Sequence, residues 1–288
     1  MKTKVIKGLV TGDWHVGSAF GLFPDDFTLS TGARVRLNTG QKYLLDCYHK
    51  MLARLPKRLD FVIFNGDLVD GLARKVEGRW RVEPDPDFQV KAALELAQPI
   101  ARRARAVYVT RGTPYHSGSG SSGDELFARE IGAVQDPMGH YAWSWIPALD
   151  VGGIRLDIAH HRSVFMRYEA SVGEREIQFD KIVAEIKGSP SDLIIRSHGH
   201  RFFFLNMEGS LFVAVPAFEL QTDFAKMSKF PNRYLARLVG AVLLKLYPHK
   251  KTGGIQDATE FVKVESLTWP HPPLGVAYLE DSNGQDRA

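Results

Sequence analysis

The chain has 288 residues, of which 44% are hydrophobic and 24% charged, and its formal net charge is +4. These proportions are typical of an ordinary globular protein and exclude wholesale disorder. A single cysteine, Cys47, excludes an internal disulfide and any site built from several thiolates, and it fits a reducing, cytoplasmic location. We expect no signal peptide. No apolar run reaches the roughly 18 residues that a membrane span needs, so we also expect no membrane association.

Short apolar segments alternate with amphipathic ones along the chain, and this alternation predicts strands and helices in turn. The predicted strands cover residues 5–10, 61–64, 106–110, 154–159, 192–196, 211–215, 239–247 and 261–267. Helical spacing of apolar residues is found at 44–55, 93–104 and 179–186. A shorter helix, for which Asp124 is the predicted cap, follows a Gly/Ser-rich loop.

This order of elements predicts an α/β fold in which two packed sheets are flanked by helices. No linker or internal repeat divides the chain. We therefore expect a single domain over residues 1–280, followed by a flexible C-terminal tail over residues 281–288.

Polar residues that bind metals follow five β-type segments, at the point where each segment ends. They are Asp13 with His15, Asp67, the segment 112–116, His160 with His161, and His198 with His200. Because the carboxyl ends of strands in an open α/β sheet line one crevice, these side chains should converge. Carboxylates and imidazoles without thiolates suit divalent manganese, iron, zinc, nickel or cobalt. The sequence therefore predicts a metal site.

The order of these motifs resembles that of the calcineurin-like metallophosphoesterase superfamily. The similar segments are Asp-Trp-His at 13–15, Gly-Asp-Leu-Val-Asp at 66–70, a turn at Gly112, a mid-chain histidine, and His-Gly-His at 198–200. The resemblance spans residues 5–216. It implies a four-layer αββα sandwich of two mixed β-sheets, with two metal ions bound at the strand ends.

The resemblance also implies a role for each matching residue. The first metal would be held by four side chains: Asp13, His15, Asp67 and His200. Asp67 would bridge to the second metal, which His198 and His160 would also bind, with His161 as the alternative to His160. Manganese is the favoured metal. Two ions about 3.5–4 Å apart can hold a bridging hydroxide that attacks phosphorus, so replacing the bridging Asp67 should be the most damaging single change.

One motif departs from the pattern of the superfamily. Where the superfamily has Gly-Asn-His, this chain reads Gly-Thr-Pro-Tyr-His over residues 112–116. Thr113 occupies the position of the asparagine ligand, and it either binds the second metal or only forms the turn. His116 arrives two residues late. It is the candidate for contacting phosphate and protonating the leaving oxygen, or it is an ordinary loop histidine. Asp70 either orients a histidine or is a surface carboxylate.

Three arginines lie next to predicted ligands: Arg111, Arg162 and Arg201. They are candidates for binding the oxygens of a phosphate ester substrate. Together with the mild positive charge they favour a phosphodiester in nucleic acid or a nucleotide, and hence a nuclease-like hydrolase. The alternatives are a phosphomonoesterase acting on phosphoprotein or a small phosphate ester, and a scaffold without catalysis. The sequence does not indicate an oligomeric state.

Overall fold

A computed structural model describes residues 5–72, 80–117, 122–162, 169–222, 237–252 and 256–272. The strands are β1 Ile6–Thr11, β2 Phe61–Asn65, β3 Val107–Thr110, β4 Ala142–Trp143, β5 Ile146–Val151, β6 Ile154–Ile158, β7 Leu193–Arg196, β8 Phe203–Met207, β9 Ser210–Ala214, β10 Leu238–Leu246 and β11 Val262–Pro270. The helices are α1 Thr39–Arg54, α2 Pro86–Ala101, α3 Pro114–Ser117, α4 Ser122–Glu130, α5 Glu169–Ile182 and α6 Ala184–Lys187. All eight predicted strands are present, and their ends lie within three residues of the predicted ends.

The strands form two mixed sheets. The six-stranded sheet has the order β11-β10-β1-β2-β3-β4, in which β1 to β4 run parallel. The five-stranded sheet has the order β5-β6-β7-β9-β8, in which β6, β7 and β9 run parallel. Each sheet therefore contributes at least three parallel strands, whose carboxyl ends point the same way.

Three apolar clusters separate four layers, as the αββα prediction requires. The first lies between the outer face of the six-stranded sheet and helices α1, α2 and α4, and it includes Leu44, Leu96 and Phe127. The second fills the space between the two sheets. The third packs Ile177 of α5 against Phe212 on the outer face of the five-stranded sheet. Burial of these faces on both sides of each sheet explains why the parallel strands are almost wholly apolar.

The two longest helices begin at clear capping residues. Asn38 caps α1 in a capping box, since its side chain accepts from the backbone N–H of Gln41 while the Gln41 side chain accepts from the Asn38 N–H. Asp85 caps α2, and Pro86 follows at the first helical position, where its missing N–H costs nothing.

Two predictions about helices need correction. Asp124 does not cap α4 but lies within its first turn, where its carboxylate accepts from the backbone N–H of Gly112 at 2.8 Å. The apolar residues of the predicted 179–186 helix do not face the core: Phe179 is 50% exposed and Ile182 is 73% exposed. The inner face of α5 instead carries the buried carboxylates of Glu176 and Asp180.

These buried carboxylates are paired with buried cations. The Nε–H of Arg196 donates to the carboxylate of Glu176 at 2.8 Å, and Asp180 forms an ion pair with Lys187. Buried charge is tolerated only when it is paired and hydrogen-bonded, so this network overrides the hydrophobic pattern of the helix.

Among the described helices, none is long and apolar enough to cross a membrane. The predicted tail over residues 281–288 lies outside the described residues.

Candidate metal centre

The predicted ligands lie on the loops that leave the carboxyl ends of parallel strands in both sheets. Two of these loops extend the pairing of β1 with β2. The backbone N–H of Asp13 donates to the carbonyl oxygen of Gly66 at 2.9 Å, and that of His15 donates to Asp67 at 3.1 Å. On the other sheet, His160 follows β6 and His198 follows β7. The side chains meet because these strand ends face one another.

The backbone at the ligands is held in an unusual conformation. Positive φ angles occur at six non-glycine residues of the described segments, and five of these are predicted ligands: Asp13, His15, Asp67, His198 and His200, at 49°, 45°, 47°, 63° and 50°. This left-handed region is unfavourable for residues with a Cβ atom and persists where surrounding structure enforces it, often at functional sites.

One group of potential ligand atoms consists of Asp13, His15 and His200, and these atoms lie within 4.8 Å of one another. The Asp13 Oδ1 is 3.2 Å from the Nε2 of His200 and 3.9 Å from the Nε2 of His15. The two imidazole nitrogens are 3.4 Å apart. Asp13 and His15 are buried, and His200 is partly exposed.

A second group consists of Asp13, Asp67, His160 and His198, again within 4.8 Å. The Oδ2 of Asp67 is 3.1 Å from the Nε2 of His160 and 3.9 Å from the Nδ1 of His198. The Asp13 Oδ1 lies 3.8 Å from the same His160 nitrogen. His161, the alternative to His160, is exposed, with its ring centroid 5.2 Å from that of His198.

Asp13 is the carboxylate that belongs to both of these groups, and Asp67, for which the resemblance implies the bridging role, belongs to the second. The Asp67 carboxylate also contacts the turn at 112–113. The Oδ1 of Asp67 accepts from the backbone N–H of Thr113 at 2.6 Å, which holds it towards that turn. The glycine before Thr113 makes this approach possible, because a Cβ atom on Gly112 would lie 2.1 Å from the same oxygen.

Thr113, the residue in place of the usual asparagine, lies directly against Asp67. Its hydroxyl oxygen is 3.2 Å from each oxygen of that carboxylate. Thr113 is buried. Its side chain therefore contacts a predicted ligand, and the hydroxyl donates to the carboxylate in this arrangement.

Burial and neighbouring charges have opposite effects on the pKa values of Asp13 and His160. Burial would raise the pKa of Asp13, but the imidazoles of His200 and His160 outweigh it and lower the pKa to about 2. Burial would lower the pKa of His160, but the carboxylates of Asp67 and Asp13 outweigh it and raise the pKa to about 10. Burial and the neighbouring His116 instead hold the pKa of His15 well below its usual value.

The donor set fits a divalent metal. The Asp13 Oδ1 and the His160 Nε2 are buried, and neither makes a hydrogen bond among the described residues. The two atoms are 3.8 Å apart. Buried polar atoms normally have partners, so atoms of this kind need an explanation. A cation coordinated by oxygen and nitrogen supplies one.

His116 lies beside this centre rather than in an open loop. It belongs to α3, and its ring stands edge-on to that of His15 with the centroids 4.4 Å apart. Its Nδ1 is 3.5 Å from the carboxylate of Asp70 and 3.0 Å from that residue's carbonyl oxygen. Burial would lower the pKa of His116, but Asp70 and Asp67 outweigh it and raise the pKa to about 9. Asp70 thus engages His116, and potential ligand atoms of Asp70, His116 and the predicted ligand His15 lie within 4.8 Å of one another.

The three predicted phosphate-binding arginines make structural contacts. The Nε of Arg111 donates to the carbonyl oxygen of Ala142 at 3.0 Å. Arg162 is buried, donates to the carbonyl oxygen of Ser197 at 3.1 Å, and pairs with Glu169 at 2.7 Å. Arg201 reaches the same Glu169 carboxylate at 3.3 Å and keeps 24% of its side chain exposed. Of the three, Arg162 directly supports the turn that carries His198 and His200.

Two residues at the centre are not predicted from the sequence. Glu219 is buried, with its Oε2 3.3 Å from the Nδ1 of His200 and 3.7 Å from the Nε2 of His15. Burial raises the pKa of Glu219 to about 7. Arg81 lies 3.9 Å from the carboxylate of Asp70. A single acid in the otherwise apolar run 211–220 was the available signal for Glu219, but it does not immediately follow a strand.

No family model matches the sequence, and no curated protein matches it. Similar solved structures include Vps29 from Entamoeba histolytica complexed with zinc, at 13% identity over 92% of this chain and 99% of that chain, with a TM-score of 0.41. An archaeal phosphodiesterase is 11% identical over 90% and 99% of the two chains, with a TM-score of 0.41. YfcE, a phosphoesterase from E. coli, is 11% identical over 84% and 92%, with a TM-score of 0.39.

Identities and scores this low do not assign a ligand or an activity to this chain. The sequence motifs whose order resembles that of the calcineurin-like metallophosphoesterase superfamily do lie together in the structure, at the strand ends of the two sheets. The fold and the site thus define a two-sheet α/β sandwich with a candidate metal centre at the ends of its parallel strands.

Proposed function

We propose that this protein is a metal-dependent phosphoesterase, a hydrolase acting on ester bonds. The proposal depends above all on one observation: two groups of carboxylate and imidazole atoms, joined through Asp13, are assembled by parallel strands from both sheets. Gathering acids and buried histidines at one place is costly, and a scaffold has no need of it.

We propose that the site binds two divalent ions, with manganese as the favoured metal. Asp13, His15 and His200 would hold one ion, and Asp13, Asp67, His160 and His198 the other. When bound, such a pair neutralises phosphate oxygens and supplies a bridging hydroxide as nucleophile. Thr113 would support the second ion by holding the Asp67 carboxylate through its N–H and hydroxyl.

His116 is the proposed general acid. Asp70 engages its Nδ1, which leaves Nε2 to deliver a proton to the departing oxygen of the ester. The same carboxylate raises the pKa of His116, so the ring carries the required proton at neutral pH. A positioned proton donor is most valuable when the leaving group is a poor one.

The proposed substrate is a phosphodiester, either nucleic acid or a nucleotide. The support for it is the net positive charge of the chain and the partly exposed Arg201 near the turn that carries His200. Arg111 and Arg162 are less suited to bind substrate, since both already donate to backbone carbonyl oxygens.

The test compares hydrolysis of a bis-aryl phosphate with that of a mono-aryl phosphate, both with manganese. We expect faster turnover of the diester, and no turnover by Asp67→Asn. A clear preference for the monoester would identify a phosphomonoesterase instead. Fewer than one bound metal per chain, together with no hydrolysis of either ester, would leave the scaffold as the better description.

A further inference from the structure

We propose that Glu219 is a positioning residue of this centre: its carboxylate orients the imidazole of His200 so that the Nε2 of that ring faces Asp13. The inference rests on the proposed function for the nature of the ligand, a divalent metal, that His200 would bind. It assigns a role to a buried acid that lies outside every predicted motif.

His200 is held between two carboxylates, one at each ring nitrogen. Its Nδ1 is 3.3 Å from the Oε2 of Glu219, and its Nε2 is 3.2 Å from the Oδ1 of Asp13. In a neutral imidazole one nitrogen carries the proton and the other carries the lone pair. When Nε2 gives its lone pair to a metal, the proton of the ring is on Nδ1, where the Glu219 carboxylate lies at 3.3 Å and can accept it. A carboxylate behind a ligating histidine fixes the ring in this way and makes it a stronger ligand.

The backbone fixes Glu219 from both sides. The N–H of Phe218 donates to the carbonyl oxygen of Asp13 at 3.1 Å, and the N–H of Leu220 donates to Phe20 at 2.8 Å. Phe218 is fully buried. The position of Glu219 is therefore tied to the loop that carries Asp13, so the acid and the ligand it serves move together.

Glu219 lies behind the ligand atoms rather than among them. The groups of described side chains whose potential ligand atoms lie within 4.8 Å of one another contain His200, His15 and Asp13 but not Glu219. Its second contact, 3.7 Å to the Nε2 of His15, is longer than the one to His200. The arrangement therefore indicates that Glu219 acts through His200.

The test uses the full chain with Glu219→Leu and Glu219→Gln. Leucine removes the acceptor, whereas the amide oxygen of glutamine can still accept from the Nδ1–H of His200. Zinc, which is diamagnetic, is titrated by calorimetry. The Nδ1–H resonance of His200 is followed by NMR with labelled histidine, in metal-free and zinc-loaded protein, and is assigned by its loss in His200→Asn.

We expect Glu219→Leu to weaken zinc binding by about 10- to 100-fold and to lose the slowly exchanging Nδ1–H resonance. Glu219→Gln should keep the Nδ1–H resonance, and its zinc affinity should lie between that of wild type and that of Glu219→Leu. Glu83→Gln serves as the matched control. Glu83 is a buried carboxylate that accepts from Ser30 and from the backbone of Asp85, so its replacement should lower thermal stability without changing zinc affinity.

Wild-type zinc affinity and an unchanged resonance in Glu219→Leu would overturn the inference. Equal loss of affinity in both variants, with the resonance retained, would make Glu219 a direct ligand and would also overturn it. If wild type binds no metal and hydrolyses neither ester, the proposed function fails. The resonance in metal-free protein then still decides whether Glu219 orients His200.

Discussion

His160 joins the two sheets at the candidate metal centre, since its Nδ1 lies 2.7 Å from the carbonyl oxygen of Asn65, the last residue of β2. A carbonyl oxygen can only accept, so the ring donates through Nδ1 and turns its other nitrogen towards Asp67, 3.1 Å away. The hydrogen bond thus selects which nitrogen is presented to a metal.

His160 and His161 provide a matched pair of variants because they are adjacent in the chain but differ in burial. We expect His160→Asn to lose metal from the second group and to lower kcat/KM by at least about tenfold, as loss of a ligand or its support commonly does. His161→Asn should retain both properties. Metal analysis and steady-state kinetics on the two proteins check this. The opposite ranking would show that His161 is the ligand.

Replacing Asn65 should lower the free energy of unfolding, because its side chain makes two buried hydrogen bonds. Its amide nitrogen donates to the hydroxyl of Ser197 at 2.7 Å, and its amide oxygen accepts from the hydroxyl of Thr110 at 2.7 Å. Asn65→Leu leaves these buried groups without a partner, at about 1–3 kcal/mol for each unsatisfied group. Urea unfolding should therefore show a loss of at least about 2 kcal/mol.

Asn206→Leu is the control for Asn65→Leu. Asn206 is exposed and bonds only to Asp257 among the contacts of its side chain that the described residues show. Its replacement should change the free energy of unfolding by less than about 0.5 kcal/mol. Similar losses in the two variants would mean that the bridge between the sheets adds no stability.

Much of the fold follows from the sequence because parallel strands, buried on both faces, leave clear apolar segments. The strand at Phe61–Asn65 is an example, and the turn residues after it place Asp67 at the strand end. The residues of α5 that point towards the core could not be predicted from apolar segments. Periodicity assumes that apolar side chains point inwards, but the paired charges of Glu176 and Arg196 occupy that position, while Ile182 is exposed.

The site was predictable as a set of residues but not as an arrangement of atoms. The positions of Asp13 and Asp67 after their strands predict that both lie at the same edge of the sheet. These positions do not indicate which of the two carboxylates lies between the two groups of ligands. The contacts of each carboxylate, such as that of Asp67 with the N–H of Thr113, are seen only in the structure. Glu219 was missed because it reaches His200 from a loop and not from a strand end.

Metal content should distinguish the roles of Asp13 and Asp67. Asp13 belongs to both groups of potential ligands, whereas Asp67 belongs to one. We expect Asp13→Asn to lose all bound metal and Asp67→Asn to retain the metal held by Asp13, His15 and His200. Equilibrium dialysis followed by metal analysis gives the two stoichiometries. If Asp67→Asn binds no metal while Asp13→Asn still binds one ion, Asp67 is the bridging carboxylate that the sequence predicts.

Metal binding should release protons. In the metal-free protein the pKa of His160 is about 10, so at pH 8 the ring is protonated on both nitrogens. A metal needs the unprotonated Nε2, so binding expels that proton and affinity rises as the pH increases towards 10. Calorimetric titrations of manganese at pH 8, in buffers with different ionisation enthalpies, measure the number released. No dependence of the enthalpy on the buffer would contradict the prediction.

The proton-donating role of His116 predicts an effect that depends on the leaving group. Esters with a strongly acidic phenol need little help in departing, whereas esters of an aliphatic alcohol need a proton. We expect His116→Asn to lower kcat by about 10²- to 10⁴-fold for alkyl phosphodiesters and much less for nitrophenyl esters, with metal content unchanged. His140→Asn is the control, because His140 is exposed and pairs with Asp136 away from the centre. An equal loss for both classes of ester would mean that His116 binds phosphate without donating the proton.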